Sequence, residues 1–358
     1  MPISKRNQLI GVDIGSHSIK IAEIEDSKKG MILKNFGMIE LPQESVVEGS
    51  IKEMEIASAA LKNLIKNLKI KNKNVATSIS GYSVIVKQIT IPEKGEEDLE
   101  ESIQSEAEQY IPFDINDVNL DFQILPPEKE EAEEEEKEEL MDVLLVAAKK
   151  DIVEEYISLF HLTELNPIVL DIDAFALQNV FEISDYEQSG CHALVHIGAQ
   201  QLTINVIKDG SSIFTRDSSY GGSQITIEIQ EKLDISYQEA EMIKLGTKPI
   251  EISQSPIIEK TFSSTATKWA QEIKRALEFV ATTFTDIKVE NILLSGGSSL
   301  IPGFSKYLGL ETGLQIEMLN PFANLEIKQK LFDPGFLNYN APMAVISIGL
   351  ALRSISDR

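Results

Sequence analysis

The chain has 358 residues, 42% of them hydrophobic and 25% charged, enough to fill more than one packed core. A net charge of −24 excludes a broad electrostatic hold on nucleic acid, which needs clustered Lys and Arg. A single cysteine, Cys191, excludes an intramolecular disulfide, the segment from Met1 to Asn7 is polar with no apolar core behind it, and no run approaches the ~20 apolar residues of a membrane span, so a soluble cytoplasmic protein is expected.

The apolar run Leu9 to Val12 predicts a buried strand, and Ile19, Ile21 and Ile24 resume a second one. Between them, Asp13-Ile14-Gly15-Ser16-His17-Ser18 makes a tight turn rich in hydroxyls. Its tip would offer backbone N–H groups and serine hydroxyls to an anion. Gly15 lets a ligand approach the backbone, and Asp13 could hold a cation, directly or through water, opposite phosphates. An ordinary polar turn fits the same residues equally well.

Met31 to Ile39 predicts a third strand and Pro42 to Gly49 a loop. Ile51, Met54, Ala57, Leu61, Leu64, Ile65 and Leu68 recur at helical spacing and predict one helix ending near Lys69. Asn74 to Ser80 then reads as a strand. A second unit follows, with a strand at Ser83 to Ile91 and a helix at Glu96 to Tyr110 stopped by Pro112. Strands at Val118 to Leu125 and Asp142 to Ala148, a helix at Lys150 to His161 and a strand at Pro167 to Ile172 complete it. This order, β-α-β-β-α-β, predicts a small inserted α+β module over 81–172. Inside it, Glu128 to Glu139 holds nine Glu, two Lys and one Ala. Like charges at that density repel and cannot bury a core, so a solvated loop or frayed helix is expected.

A second cycle starts at Cys191. His192 to Ile197 is a strand, Gly198-Ala199-Gln200-Gln201 a turn, and Leu202 to Ile207 a returning strand. Asp209-Gly210 is a hairpin signal, Ile213 to Arg216 a third strand, and Tyr220-Gly221-Gly222-Ser223 opens a helix at Gln224. Strand, turn, two strands and helix thus occur twice, which predicts two similar domains facing each other across a ligand cleft. Ile235 to Ala281 reads as helical, with Trp269 in its buried face. Asn291 to Leu294 is a strand that runs into Ser295-Gly296-Gly297-Ser298-Ser299, a junction where a flat ring or phosphate can lie on bare backbone. Ala341 to Ser354 is a final apolar helix.

These residues together resemble the actin-like ATPase superfamily, which includes actin and the bacterial cell-division protein FtsA. Asp13-Ile14-Gly15-Ser16-His17-Ser18 resembles its first phosphate loop and His196-Ile197-Gly198-Ala199 its second, continued by Gln200 and Gln201. Ser295-Gly296-Gly297-Ser298 resembles the adenosine loop, Glu241 and Lys244 match the pair that meets ribose and base, and Gly221-Gly222 sits at the second domain's helix start. Within the superfamily the chain is most similar to the PilM family of type IV pilus assembly. Glu106-Ala107-Glu108-Gln109-Tyr110-Ile111-Pro112-Phe113, Val118-Asn119-Leu120-Asp121-Phe122 and Leu144-Leu145-Val146-Ala147-Ala148-Lys149-Lys150 carry that likeness. So do Asp171-Ile172-Asp173-Ala174-Phe175-Ala176-Leu177, Leu319-Asn320-Pro321-Phe322 and Gly349-Leu350-Ala351-Leu352-Arg353.

The resemblance implies an α/β, actin-like fold of two duplicated domains around a nucleotide cleft. Domain 1 would be 1–80, completed by 171–190 and 336–358; an SHS2-like subdomain would occupy 81–170, and domain 2 would occupy 191–335. It implies ATP and Mg²⁺ as cofactors, the metal held by Asp13 through water. It further implies a partner, the cytoplasmic N-terminal segment of a PilN-like inner-membrane protein, held in a groove bordered by the SHS2-like subdomain. The place of work would be the inner face of the inner membrane, reached through that partner. Pilus motor ATPases and further copies of the chain stand as additional candidate partners.

One departure matters. The superfamily's second phosphate loop usually opens with Asp, whose carboxylate helps place Mg²⁺ and the attacking water; here the position is His196. A neutral imidazole lacks that charge and an imidazolium would repel the metal, so at most slow ATP hydrolysis is expected. Asp173 is the remaining candidate to orient a water, or else it caps Ala174 to Asn179. His17 either contacts a phosphate or is an exposed turn residue, and Lys20, alternating with isoleucines, reads as a solvated strand face. An FtsA-like filament protein is the alternative, against which stands an end at Ser356-Asp357-Arg358 without an amphipathic helix. A sugar kinase of the same superfamily would need a catalytic Asp and a sugar-binding insert, for which no candidate was found.

Overall fold

In the first lobe, β1 (Ile10–Ile14), β2 (Ser18–Ser27) and β3 (Gly30–Glu40) form an antiparallel meander. Leu9, Ile10, Val12, Ile19 and Ile21 are wholly buried, because helices cover both faces of the sheet. These come from a computed structural model that describes residues 8–28, 30–125, 140–284, 287–328 and 330–356; the acidic stretch from Glu128 to Glu139 lies outside them. The predicted loop after β3 contains a short hairpin, β4 (Val46–Val47) and β5 (Ser50–Ile51). Next, α1 (Met54–Leu68) buries Ala57, Leu61, Leu64 and Ile65 and stops at Lys69, a left-handed C-cap. The strand β6 (Asn74–Ile79) then returns parallel to β1.

Contacts divide the chain into Met1–Gly81 with Ser158–Arg358 and a second unit, Tyr82–Ile157. The second unit holds β7 (Val84–Pro92), α2 (Glu96–Ala107), β8 (Val118–Ile124) and β9 (Leu140–Lys149), with sheet order β7-β9-β8. Leu99, Ile103 and Ala107 of α2 pack on Ile89, Val143 and Leu145, a core of its own. The helix ends three residues before the predicted Tyr110.

The helix α3 (Lys150–Leu162) leads to β10 (Asn166–Ile172), which corrects one expectation. That strand was read as part of the inserted module, but it pairs parallel with β6, Leu170 opposite Thr77 and Ile172 opposite Ile79. An apolar run fixes a strand's faces but not which sheet edge receives it. The first-lobe sheet is therefore β10-β6-β1-β2-β3, closed at its far edge by β16 (Glu326–Ile327) once the later elements are in place. From β10 the chain enters α4 (Asp173–Glu182).

The second lobe repeats the plan. The strands β11 (Cys191–Ile197), β12 (Leu202–Lys208) and β13 (Ser211–Ser218) form a meander, with α5 (Ser223–Leu233) after it. The predicted helical stretch from Ile235 is broken into α6 (Tyr237–Lys244) and α7 (Ser255–Thr283). Gly246, at φ +69°, and Pro249 between them end the first helix. The strand β14 (Asn291–Ser295) runs parallel to β11, followed by α8 (Phe304–Thr312) and β15 (Gln315–Met318). The order β13-β12-β11-β14-β15 matches β3-β2-β1-β6-β10 position for position. Trp269 is core as expected, edge-on to Phe304 at 5.3 Å between ring centres.

The last helix, α9 (Pro334–Ala351), starts seven residues before the predicted Ala341, with Asp333 accepting from Phe336 N at its N-cap. Pro342 lies inside it. Val345, Ile348 and Leu350 join Leu9 and Ala22 of the first lobe and Leu194, Ile207 and Leu293 of the second in one continuous core.

Candidate functional site

The first hairpin tip is closed by Gly15 N donating to Ser18 O at 3.1 Å. Register on the hairpin sets Lys20 directly across from Asp13, and the two side chains pair at 3.0 Å, each 13% exposed. The reading of Lys20 as a solvated strand face is thereby corrected. A lysine alternating with buried isoleucines points to one sheet face, and here that face is largely buried where Lys20 meets Asp13. The signal was present, since a tight hairpin places Asp13 and Lys20 opposite each other. Ser16 and His17 lie half-buried at the tip. Burial lowers the His17 pKa, while the Glu241 and Glu40 carboxylates oppose that and Lys244 adds to it.

The second tip, Gly198 to Gln201, closes in the same way, with Gly198 N donating to Gln201 O at 2.8 Å. It gathers the other glycine turns around it. Gly222 N donates to Gly198 O at 3.1 Å, Ser223 N donates to Ala199 O at 2.8 Å, and Ser298 Oγ donates to Gly198 O at 2.7 Å. A side-chain carbon at Gly222 would stand 2.2 Å from Ser298 Oγ and 2.9 Å from Lys244 Nζ, so only glycine leaves those groups in place. Gly221 lies equally tight against Ala199 O. Lys244 Nζ pairs with Glu241 Oε2 at 2.7 Å, and Thr226 Oγ1 donates to the same oxygen at 2.6 Å. Burial lowers the Lys244 pKa against the pull of Glu241.

Gly296 takes φ +88°, and its N–H donates to Pro342 O of α9 at 2.8 Å. Gly297 faces Met343. The adenosine-like loop thus rests on the last helix, a support that its own sequence does not announce. The structure brings Gly198, Ala199, Gly221, Gly222, Glu241, Lys244, Gly296, Gly297 and Ser298 together in the second lobe. It sends the side chains of Gln200 and Gln201 elsewhere. Gln200 Oε1 accepts from Glu48 N at 2.8 Å, and Gln201 Oε1 accepts from Ser80 Oγ at 2.6 Å.

The remaining chemistry sits between the lobes. His196 Nδ1 meets Ser295 Oγ at 3.0 Å, and burial pushes its pKa down to about 4, so the ring is neutral at pH 7. Asp173 is the first residue of α4, whose N-cap position is Ile172. Ser78 Oγ donates to Asp173 Oδ1 at 2.5 Å. Burial and the nearby Asp13 carboxylate push Asp173 up to about 7, against that hydrogen bond. Asp217, which sequence reasoning passed over, accepts from Gly81 N at 2.7 Å and from Thr203 Oγ1 at 2.6 Å. Burial raises its pKa against both bonds.

The arrangement offers two bare-backbone hairpin tips, a lysine beside Asp13, and an acid–lysine pair near a third glycine turn. That set suits a ligand with a polyphosphate and a flat ring. A family model described as type IV pilus assembly protein PilM matches residues 11–355. A solved structure of a PilM-PilN type IV pilus biogenesis complex aligns with a TM-score of 0.83 at 26% identity, covering 97% of this chain and 98% of that one. The ethanolamine utilization protein EutJ from Carboxydothermus hydrogenoformans aligns at TM-score 0.57 and 16% identity, covering 98% and 91%. MreB 5 of Spiroplasma citri bound to AMPPNP aligns at TM-score 0.53 and 12% identity, covering 97% and 95%. The last two share the actin-like fold. A match running from the first phosphate-type loop to beyond the last helix leaves one assignment: the chain belongs to the PilM family of type IV pilus assembly proteins.

Proposed function

We propose that the chain is an ATP-binding adaptor that holds the cytoplasmic N-terminal segment of a PilN-like inner-membrane protein. The observation that carries this reading is the whole-length likeness, at 26% identity, to a structure of PilM with PilN. Among the described residues no helix is long and apolar enough to cross a membrane, so attachment to the inner face of the inner membrane would come through the partner.

The donors of the cleft fit ATP. Gly15, Ser16 and Ser18 of the first tip and Gly198 and Ala199 of the second would bind phosphates, with Lys20 and His17 beside them. Gly296, Gly297 and Ser298 would face the adenosine, and Glu241 and Lys244 the ribose and base. Mg²⁺ on the phosphates would neutralise their charge, with Asp13 as its carboxylate partner through water. Hydrolysis is slow or absent in this reading, because His196 is neutral and brings no negative charge to the second loop. Asp173 remains the candidate to orient a water.

Calorimetric titration with Mg-ATP, then with a synthetic N-terminal peptide of a PilN-like protein, tests both halves. Saturable binding of each is expected, with Asp13→Ala weakening the nucleotide at least tenfold and phosphate release staying near background. Absence of nucleotide binding would reduce the cleft to a scaffold, and absence of peptide binding would remove the adaptor role.

A further inference from the structure

A strap runs from the first hairpin tip to the second. It begins where Leu41 N donates to His17 O at 2.9 Å. Its base is fixed at Ser45, wholly buried, whose carbonyl accepts from Lys52 N at 2.9 Å and Glu53 N at 3.1 Å. The β4–β5 hairpin rises from that base, and its two-residue tip reaches the other lobe. Glu48 N donates to Gln200 Oε1 at 2.8 Å, and Ser219 Oγ donates to Glu48 Oε1 at 2.8 Å. Nearer its start, the Gln43 side chain lies close enough to the Tyr237 hydroxyl of α6 to lower its pKa, against the burial that raises it.

The residue at the tip is the informative part. Glu48 and Gly49 take φ +48° and +84°, the two left-handed positions of a tight hairpin turn. Asn-Gly or Asp-Gly suits such a turn, and a long glutamate in the first position is strained. What the glutamate adds is reach, since its carboxylate holds Ser219 while its backbone N–H, which any such residue would offer, holds Gln200. Both partners border the candidate site: Gln200 lies in the second tip, and Ser219 leads into Gly221-Gly222. Glu48 and Gln43 are exposed, so water competes for each bond and the attachments can open.

We infer that residues 41–51 are a latch that joins the two loop-bearing lobes and sets how fast the cleft opens and a bound nucleotide leaves. The nucleotide part rests on the function proposed above; the latch itself does not.

The test uses the full chain and the variant Glu48→Asn, which keeps a residue suited to the turn and removes the reach to Ser219. Two readouts are taken: amide exchange of residues 41–51 and 198–201 without nucleotide, and stopped-flow release of a fluorescent N-methylanthraniloyl ATP. Loss of one such bond is expected to speed exchange and release roughly two- to tenfold, with a further gain on adding Gln43→Ala. A merely structural turn would instead become firmer with asparagine and exchange more slowly. Unchanged or slower exchange would overturn the latch, whatever the nucleotide result. Faster exchange with no binding of the ATP analogue would support the latch and overturn the nucleotide reading.

Discussion

Asp173 keeps its proton to about pH 7, while an unfolded aspartate loses it near pH 4. Between those values the folded chain binds a proton that the unfolded chain does not, so stability falls as pH rises through that window. Asp173→Asn, which can still accept from Ser78, is therefore expected to melt higher than the parent at pH 8. The gap should shrink steadily toward pH 5, and a pH-independent gap would mean that Asp173 is ionised throughout. His196→Asp restores a carboxylate at the second loop and is expected to raise phosphate release at least tenfold, read by a continuous phosphate assay. No rise would place the limit on hydrolysis at another residue. The histidine's departure from the superfamily pattern was legible in the sequence, because it is a matter of residue type at a motif position. The proton on Asp173 was not, because it depends first on burial and then on Asp13 lying close by across a gap of 160 residues in the chain.

The turns carry the candidate site more than the strands and helices do. The β13–α5 junction is among the tight ones, and Gly222→Ala there would press on Ser298 and Lys244 together. Overpacking of that kind costs about 1–3 kcal/mol. A drop of at least tenfold in nucleotide affinity is expected by calorimetry, with near-native circular dichroism; unchanged affinity would place the ligand away from this turn. Most elements were readable from periodicity, including the repeat of strand, turn, strands and helix. The failures were those where a local rule met a tertiary exception. The final helix was read from Ala341, yet α9 starts at Pro334 and runs through Pro342 because buried contacts on both lobes hold the helix on either side. The strand β10 was given to the wrong sheet because apolar alternation contains no address. The β4–β5 hairpin looked like plain loop, since two-residue strands leave no period to detect.

At the scale of the whole molecule, Tyr82–Ile157 has a core separate from that of the two lobes. Differential scanning calorimetry is expected to resolve a transition of about 50 kcal/mol for it, at ~0.7 kcal/mol per residue. Leu99→Ala, wholly buried in that core, should lower this transition by the loss of about 2–5 kcal/mol and leave the larger one in place. A single transition that moves as one would mean that the units melt together. The matching order of the two large sheets, legible in the sequence as a duplicated pattern, also makes each lobe a sequence-local folding task until its last strands and helix arrive. The bond from Gly296 N to Pro342 O changes the timetable. A ribosome synthesises Asp13 329 residues before Pro342, although the proposed ATP site draws on both ends of that span. If the proposed ATP site needs that support, a nascent chain stays blind to nucleotide until α9 is made, and products truncated before α9 would have no ligand to protect them from proteases.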